Sequence, residues 1–333
     1  MSAMVGSQRS CNVLLRGAAL IGLANFACGQ ATLEDLRDEL SDAVAAERYP
    51  AFLAALIGLN SESQLSGARL EDEGDLATSF EVYSYPWRRD FEDGPWGRRW
   101  QVEATAGFTL ADWTARNALA GSGAQNSVDI DSRFRVFGLT LGAGPIVEVG
   151  DGWELRPTLE LGLSYVDNRA RYSGPGAASL SALADGILFN WNATYALYGA
   201  SVTAQRQPWI WRELRFQPTL RIDARVSDAL AADDAAQEST TTTGWSVAAL
   251  EVSGDAGFTL AGQRVDWAGR VGYKRLFEEA GELIGFHDYF ELGGRLELDT
   301  QGVLPVLSRL GLSAALIVGE DVNGWTAGLS ASL

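Results

Sequence analysis

Long hydrophobic runs are missing from this 333-residue sequence, although 47% of its residues are hydrophobic. A membrane-crossing helix needs about 18 or more consecutive apolar residues. The longest apolar stretches, 17–28 and 51–59, are too short. That excludes a helical membrane protein. Any crossing must be made by strands, because only helices and closed barrels satisfy their own backbone in lipid. Basic charge is also scarce: 26 Lys and Arg face 43 Asp and Glu, and Lys274 is the single lysine. No basic stripe exists, so a nucleic-acid partner is excluded.

Cysteine is confined to Cys11 and Cys28. Both fall in a stretch that reads as a secretion signal over 1–31. Arg9 and Arg16 form its positive region, Gly17 to Ala27 its short apolar core, and small residues follow at Gly29 and Ala31. A lipoprotein signal would acylate Cys28, but Asn25 stands where an aliphatic residue is wanted. Cleavage after Gly29 or Ala31 would leave a mature chain with no thiol, and so with no disulfide or thiolate metal site. It would also move the net charge from −17 to −19, since two arginines and no acid are lost.

Beyond the signal, the hydrophobic period decides the fold. Residues 32–60 carry a helical pattern. Thr32 is a candidate N-cap, with Glu34 and Asp35 in the first turn. Leu33, Leu36, Leu40 and Val44 lie on one stripe opposite acidic residues. Pro50 interrupts it, and 51–57 reads as a second apolar turn. From about residue 61 to 333 the period becomes two. Along 153–165, Trp153, Leu155, Pro157, Leu159, Leu161, Leu163 and Tyr165 alternate with Glu154, Arg156, Thr158, Glu160, Gly162 and Ser164. Along 214–226, Leu214, Phe216, Leu220 and Ile222 alternate with Arg215, Gln217, Arg221 and Asp223. The pattern gives about twelve strands, near 63–70, 76–86, 97–111, 127–149, 152–167, 185–207, 209–227, 242–261, 264–277, 285–299, 303–318 and 324–333. Apolar parity slips near 136–137 and 250–252, which reads as β-bulges.

Strand length argues for a membrane. The apolar face of 214–226 runs through 13 residues. At ~3.3 Å per residue and ~45° tilt it spans roughly 30 Å, enough for an apolar band of ~25 Å. Connections alternate between short (150–152, 207–208, 261–263, 299–302) and long (168–184, 228–241, 278–284). Outer-membrane barrels have short periplasmic turns and longer outer loops. An even strand count then puts both termini in the periplasm. Asn323-Gly324 signals a tight outward hairpin. Trp153, Trp209, Trp211 and Trp267 sit near short turns, where an aromatic girdle belongs. These features define an all-β fold: a closed antiparallel transmembrane barrel with a short N-terminal helix in its lumen.

Catalytic chemistry is poorly supplied. His287 is the single histidine, and no serine lies in 276–299 to serve as its nucleophile. No catalytic residue, cofactor site or metal site is assigned; Asp228, Asp233, Asp234 and Glu238 fit no cation-binding loop. What chemistry there is lies on the inward parity: Arg99, Arg156, Arg215, Arg221, Arg225, Arg270 and Arg295, with Glu103, Glu154, Glu160, Asp223, Glu291 and Glu297. Such charges select ions in an open pore, or pair around an occupying helix. The acidic helix facing an arginine-rich wall favours the second.

A helix of two dozen residues, then about twelve strands, then a last strand with Trp325, Ala327, Leu329, Ala331 and Leu333 on one face resembles the translocator barrel of bacterial autotransporters. The resemblance implies a helix threading the lumen and a terminal strand read by the barrel-assembly machinery. The final residue is Leu333 where the family usually has Phe or Trp, and only the signal precedes the helix. The chain is therefore similar to the solitary, passenger-free barrels of that kind. The expectation is a monomeric, non-enzymatic outer-membrane barrel surrounded by lipid, with a structural or transport role. An open porin-like diffusion channel is the second reading and an outer-membrane hydrolase the third.

Overall fold

The computed structural model describes residues 32–47, 51, 53–54, 65–72, 78–116, 127–277, 280–281, 286–300, 308–320 and 322–332. The signal segment and residues 303–307 of an expected strand lie outside them. Helix α1 (Leu33–Glu47) comes first. The strands are β1 (Leu65–Asp72), β2 (Thr78–Phe91), β3 (Trp100–Ala115), β4 (Asp129–Pro145), β5 (Val147–Gly150), β6 (Trp153–Ser173) and β7 (Asn192–Arg206). They continue as β8 (Trp209–Trp211), β9 (Leu214–Ala232), β10 (Thr240–Leu260), β11 (Gln263–Leu276), β12 (Asp288–Asp299), β13 (Arg309–Val318) and β14 (Val322–Ser332). Helix α2 (Ala177–Ala184) sits in the β6–β7 connection.

All fourteen strands join one antiparallel, barrel-like sheet in which β5 prolongs β4 and β8 prolongs β7. Consecutive strands are neighbours, and the chain's first and last strands also meet: Leu65 pairs with Leu329 and Asp72 with Val322. β9 pairs with β10 from Asp228↔Thr240 to Arg215↔Ser253.

The faces follow the alternation read from the sequence. On β6, Leu161 is 70% exposed while its neighbour Glu160 is 6% exposed. On β9, Ile222 is 57% exposed and Asp223 only 2%. The apolar face is thus turned outward and the charged face inward, the reverse of a soluble protein and the order expected of a barrel wall in lipid.

Several local expectations are corrected. The hairpin turn before β9 is Arg212-Glu213, with Arg212 at φ 60°, rather than Gln207-Pro208. Pro208 cannot donate to the ladder, so the pairing slips there, from Gln205↔Thr219 to Trp209↔Phe216, without ending the strand. Asn323-Gly324 is inside β14; the turn precedes it, and Gly319 N–H donates to the Val322 carbonyl at 2.8 Å. Residues 185–191 are loop following α2, not strand. The parity slips at 136–137 and 250–252 are not bulges, since pairing is continuous through both; the break in β10 lies between Asp255 and Thr259.

The helix is where its caps put it. Thr32 Oγ1 accepts from the Asp35 amide, and Thr32 N–H donates back to the Asp35 carboxylate at 2.7 Å. The Thr32 hydroxyl also donates to that carboxylate at 2.7 Å, and these two donations hold Asp35 below the ordinary carboxylate range. Its position differs from expectation. α1 rests on the long connections rather than on the arginine wall, and its acids Glu34, Asp38 and Asp42 are exposed. α1 and the end of β14 therefore lie at opposite ends of the sheet.

Candidate functional site

The inward face divides into two halves of different chemistry. Toward the short turns it is charged. Arg99 donates to Glu154 at 2.9 Å and also faces Glu148 and Glu92. Arg156 bridges Glu154 at 2.8 Å and Asp90 at 3.1 Å. Gln101 donates to Thr158 at 2.6 Å and accepts from Arg156 at 3.3 Å. Deeper in, Arg221 meets Asp223 at 2.7 Å, Glu160 at 3.3 Å and Glu103 at 3.8 Å, while Arg225 pairs with Glu160. Across the sheet, Arg295 pairs with Glu251 at 3.1 Å and Glu297 at 3.0 Å, and Arg309 reaches Glu297 at 3.4 Å. Charge removed from water is tolerable only when paired this way.

Of the thirteen residues expected to line the interior, ten enter these networks. Arg270 and Glu291 are half-buried and engaged with neighbours. Arg215 stands exposed near the short-turn end of β9. Gln101, Asp90, Glu251 and Arg309 were missed. Gln101 shares parity with Glu103 and was legible. Asp90 lies past the expected end of its strand, and Glu251 lies inside an apparent parity slip.

Toward the long connections the inward face turns apolar. Phe134, Val136, Val166, Tyr195, Leu197 and Trp245 all point in and are buried. At the centre of their cluster lie Ala51, Leu53 and Ala54, each wholly buried, and Ser227 Oγ donates to the Ala51 carbonyl. Ala51, Leu53 and Ala54 are thus enclosed by side chains from strands all around the sheet.

Above this half, α1 caps the long connections. Leu40 and Val44 pack with Ile187 and Ala236. Arg37 donates to the carbonyls of Ala182 at 2.8 Å, Leu183 at 3.1 Å and Asp185 at 2.9 Å, and so neutralises the C-terminal end of α2. Ser41 donates to Asp234 at 2.8 Å. Asp185 organises the mouth: Tyr172, Ser181 and Asn190 all donate to its carboxylate. Burial alone would raise the Asp185 pKa, but these hydrogen bonds and the Arg37 charge outweigh it and hold the group below the ordinary carboxylate range.

Among the described residues no three His, Cys, Asp or Glu side chains group as a metal site. His287 is exposed at the start of β12. Among the described residues no helix is long and apolar enough to cross a membrane.

A sheet with apolar residues outside, paired charges inside and a helical segment enclosed has its counterpart among known families. Residues 59–330 match the solitary outer membrane autotransporter beta-barrel domain. The chain belongs to that family. Its barrel domains reside in the bacterial outer membrane, and the family is not an enzymatic one. The beta domain of the Bordetella autotransporter BrkA is similar at 17% identity and a TM-score of 0.50, over 80% of this chain and 96% of that one. The transport unit of AIDA-I from Escherichia coli is similar at 10% identity and a TM-score of 0.47, over 87% of this chain and 99% of that one. The translocator domain of NalP from Neisseria meningitidis is similar at 12% identity and a TM-score of 0.44, over 87% of this chain and 95% of that one. No curated protein matches the sequence.

Proposed function

We propose that this member of the family is a closed twelve-staved barrel whose own N-terminal segment blocks its lumen, giving it a structural or gated-transport role rather than that of an open pore or a hydrolase. The strand pairings support closure: β1 with β14 and β9 with β10 complete the circuit, and β5 and β8 only lengthen their staves. The long connections face outward, so α1 lies on the external side and the end of β14 in the periplasm. Residues 1–31 are the secretion signal, 32–60 the plug and 61–333 the barrel. The paired interior charges line the lumen below the plug. The outward leucines meet outer-membrane lipid, the assembly machinery reads β14, and the barrel works as a monomer.

The observation that carries this reading is the complete burial of Ala51, Leu53 and Ala54 amid inward side chains from the surrounding strands. A solute path would have to pass through them. Deleting residues 32–58 is expected to raise single-channel conductance of the refolded protein severalfold, while the intact chain conducts little. Leu53→Asp, which places a charge in the apolar half and keeps the rest of the chain, is expected to open the barrel in the same direction. Equal conductance of the intact, truncated and Leu53→Asp proteins would replace the plug with the open-channel reading.

A further inference from the structure

Helix α1 docks on a surface of its own charge sign. Leu40 and Val44 bury against Ile187 and Ala236, and Arg37 donates to the carbonyls at the end of α2. The charge around these contacts is acidic. α1 carries Glu34, Asp35, Asp38, Glu39, Asp42 and Glu47, with Arg37 as its single base and no basic residue in its last turn. The two connections beneath it, 174–191 and 233–239, add Asp185, Asp233, Asp234 and Glu238 and contain no lysine or arginine. Ten acids and one arginine therefore meet in one small assembly. The strands that carry these connections do not make up the difference. Arg169 of β6 pairs with Asp167 at 2.8 Å, Arg171 stands opposite Asp131, and Arg225 of β9 is taken by Glu160. Arg206 lies at the other end of β7, and β10 has no basic residue.

Like charge acts on α1 twice. Within the helix, Glu34, Asp38 and Asp42 follow one another at four-residue spacing, as do Asp35 and Glu39, and like charges so placed weaken a helix. Its 15 residues are marginal for a helix in water even without that cost. Between the helix and its platform, Ser41 donates to Asp234 at 2.8 Å, which brings that carboxylate to the turn that carries Asp38 and Asp42. Glu34, Asp38, Glu39, Asp42, Asp233 and Glu238 are exposed, so salt reaches them. Their repulsion extends about 30 Å at ~0.01 M salt and about 8 Å at ~0.15 M. The apolar contacts do not share that dependence. Two opposing forces, one screened and the other not, make the position of α1 depend on salt.

We infer that α1 is a lid distinct from the plug: its apolar stripe and Arg37 close it, the like charge on helix and connections opens it, and the ionic strength of the outer medium sets the balance. At physiological salt the lid is closed, and in dilute medium it lifts off Ile187 and Ala236. Ala51, Leu53 and Ala54, held by burial, stay seated. Above ~0.1 M salt the screened acids weigh little, and the hold on α1 is then set by its hydrogen bonds, with Asp185 among the groups that keep them. That the medium is the outer one rests on the placement proposed above; the salt response itself does not.

Hydrogen exchange of the refolded full-length protein in a zwitterionic detergent, read by mass spectrometry at neutral pH across a sodium chloride series, tests this. The amides of 36–47 are expected to exchange about tenfold faster at ~0.01 M salt than at ~0.15 M. Amides of β6 should stay protected throughout, which separates a failure of the lid from a failure of the barrel. E34Q/D38N/D42N, which keeps the apolar stripe and Arg37, should exchange slowly at every salt concentration. D233N/E238Q, which leaves α1 itself unchanged, should reduce the salt response, while E213Q, in a short turn at the opposite end, should not. Salt-independent protection of α1 in the parent, a response in D233N/E238Q equal to the parent's, or release of 51–54 together with α1 at low salt would overturn the proposal.

Discussion

Glu160 is the point at which the interior charges can be weighed. Its carboxylate serves Arg225 and, at 3.3 Å, Arg221; the three side chains are 7%, 3% and 11% exposed. Glu160→Gln keeps the shape and removes the charge. Removing one partner of a buried ion pair costs about 3–5 kcal/mol, because the remaining charge stays buried and uncompensated. Arg221 retains Asp223 at 2.7 Å, and Arg225 lies over the Trp245 ring at 5.4 Å, so the lower end of that range, about 3 kcal/mol, is expected. Glu148 supplies the contrast. It also faces an arginine, Arg99 at 3.4 Å, but is 68% exposed, and Glu148→Gln should cost about 1 kcal/mol or less. Urea unfolding of the refolded protein, followed by tryptophan fluorescence, reads both. Arg225→Gln should cost less in the Glu160→Gln background than in the parent, since the two share one interaction. If Glu160→Gln costs no more than Glu148→Gln, the network is solvated and the argument for a closed, desolvated interior fails.

Ile222 and Thr219 lie on opposite faces of β9, so Ile222→Arg should cost about 2–4 kcal/mol in lipid, while Thr219→Arg should be milder. Equal damage in unfolding titrations would mean the face assignment is wrong. Asp185 gives the external cap a pH dependence. Its folded pKa lies below the ordinary ~3.9, so its contribution is fully present above about pH 4 and is lost as the pH falls through the lower folded value. Proteolysis within 33–47 should accelerate at pH 3 relative to pH 7, and Asp185→Asn should abolish that difference. An unchanged cleavage rate across the range would remove Asp185 from the hold on α1.

The staves of the sheet were legible because their outward face is uniformly apolar through the whole membrane depth. Leu159, Leu161 and Leu163 alternate with polar partners, and the structure keeps that phase. α1 was legible from Thr32, Asp35 and the Leu36–Leu40–Val44 stripe, since caps and stripes act within a few residues. Turns were less so. Gln207-Pro208 looks like a hairpin because proline breaks a ladder, but β9 supplies partners beyond it, which only pairing partners reveal. The docking of α1 was misread for a related reason. Opposite charge between its acids and Arg221 or Arg225 suggested contact, but those arginines already have nearer carboxylates on their own wall.

The two apparent bulges carry the deeper lesson about the interior. On β4, Phe134 and Val136 point inward, while Phe137 and Leu139 point outward. On β10, Trp245 points inward and Glu251 follows on the same face, with Leu250 and Val252 between outward strands of the band. Neither strand changes phase; the inward face changes chemistry from apolar to charged, and hydrophobicity alone reports this as a slip. The change marks the depth at which Ala51, Leu53 and Ala54 sit. Below it, the wall is satisfied by its own ion pairs and offers the N-terminal segment no unpaired charge among the networks described. Above it, the wall offers apolar surface that water would otherwise have to cover. The segment is therefore held by burial rather than by charge, so salt should leave the plug seated while a single acid at Leu53 should expel it.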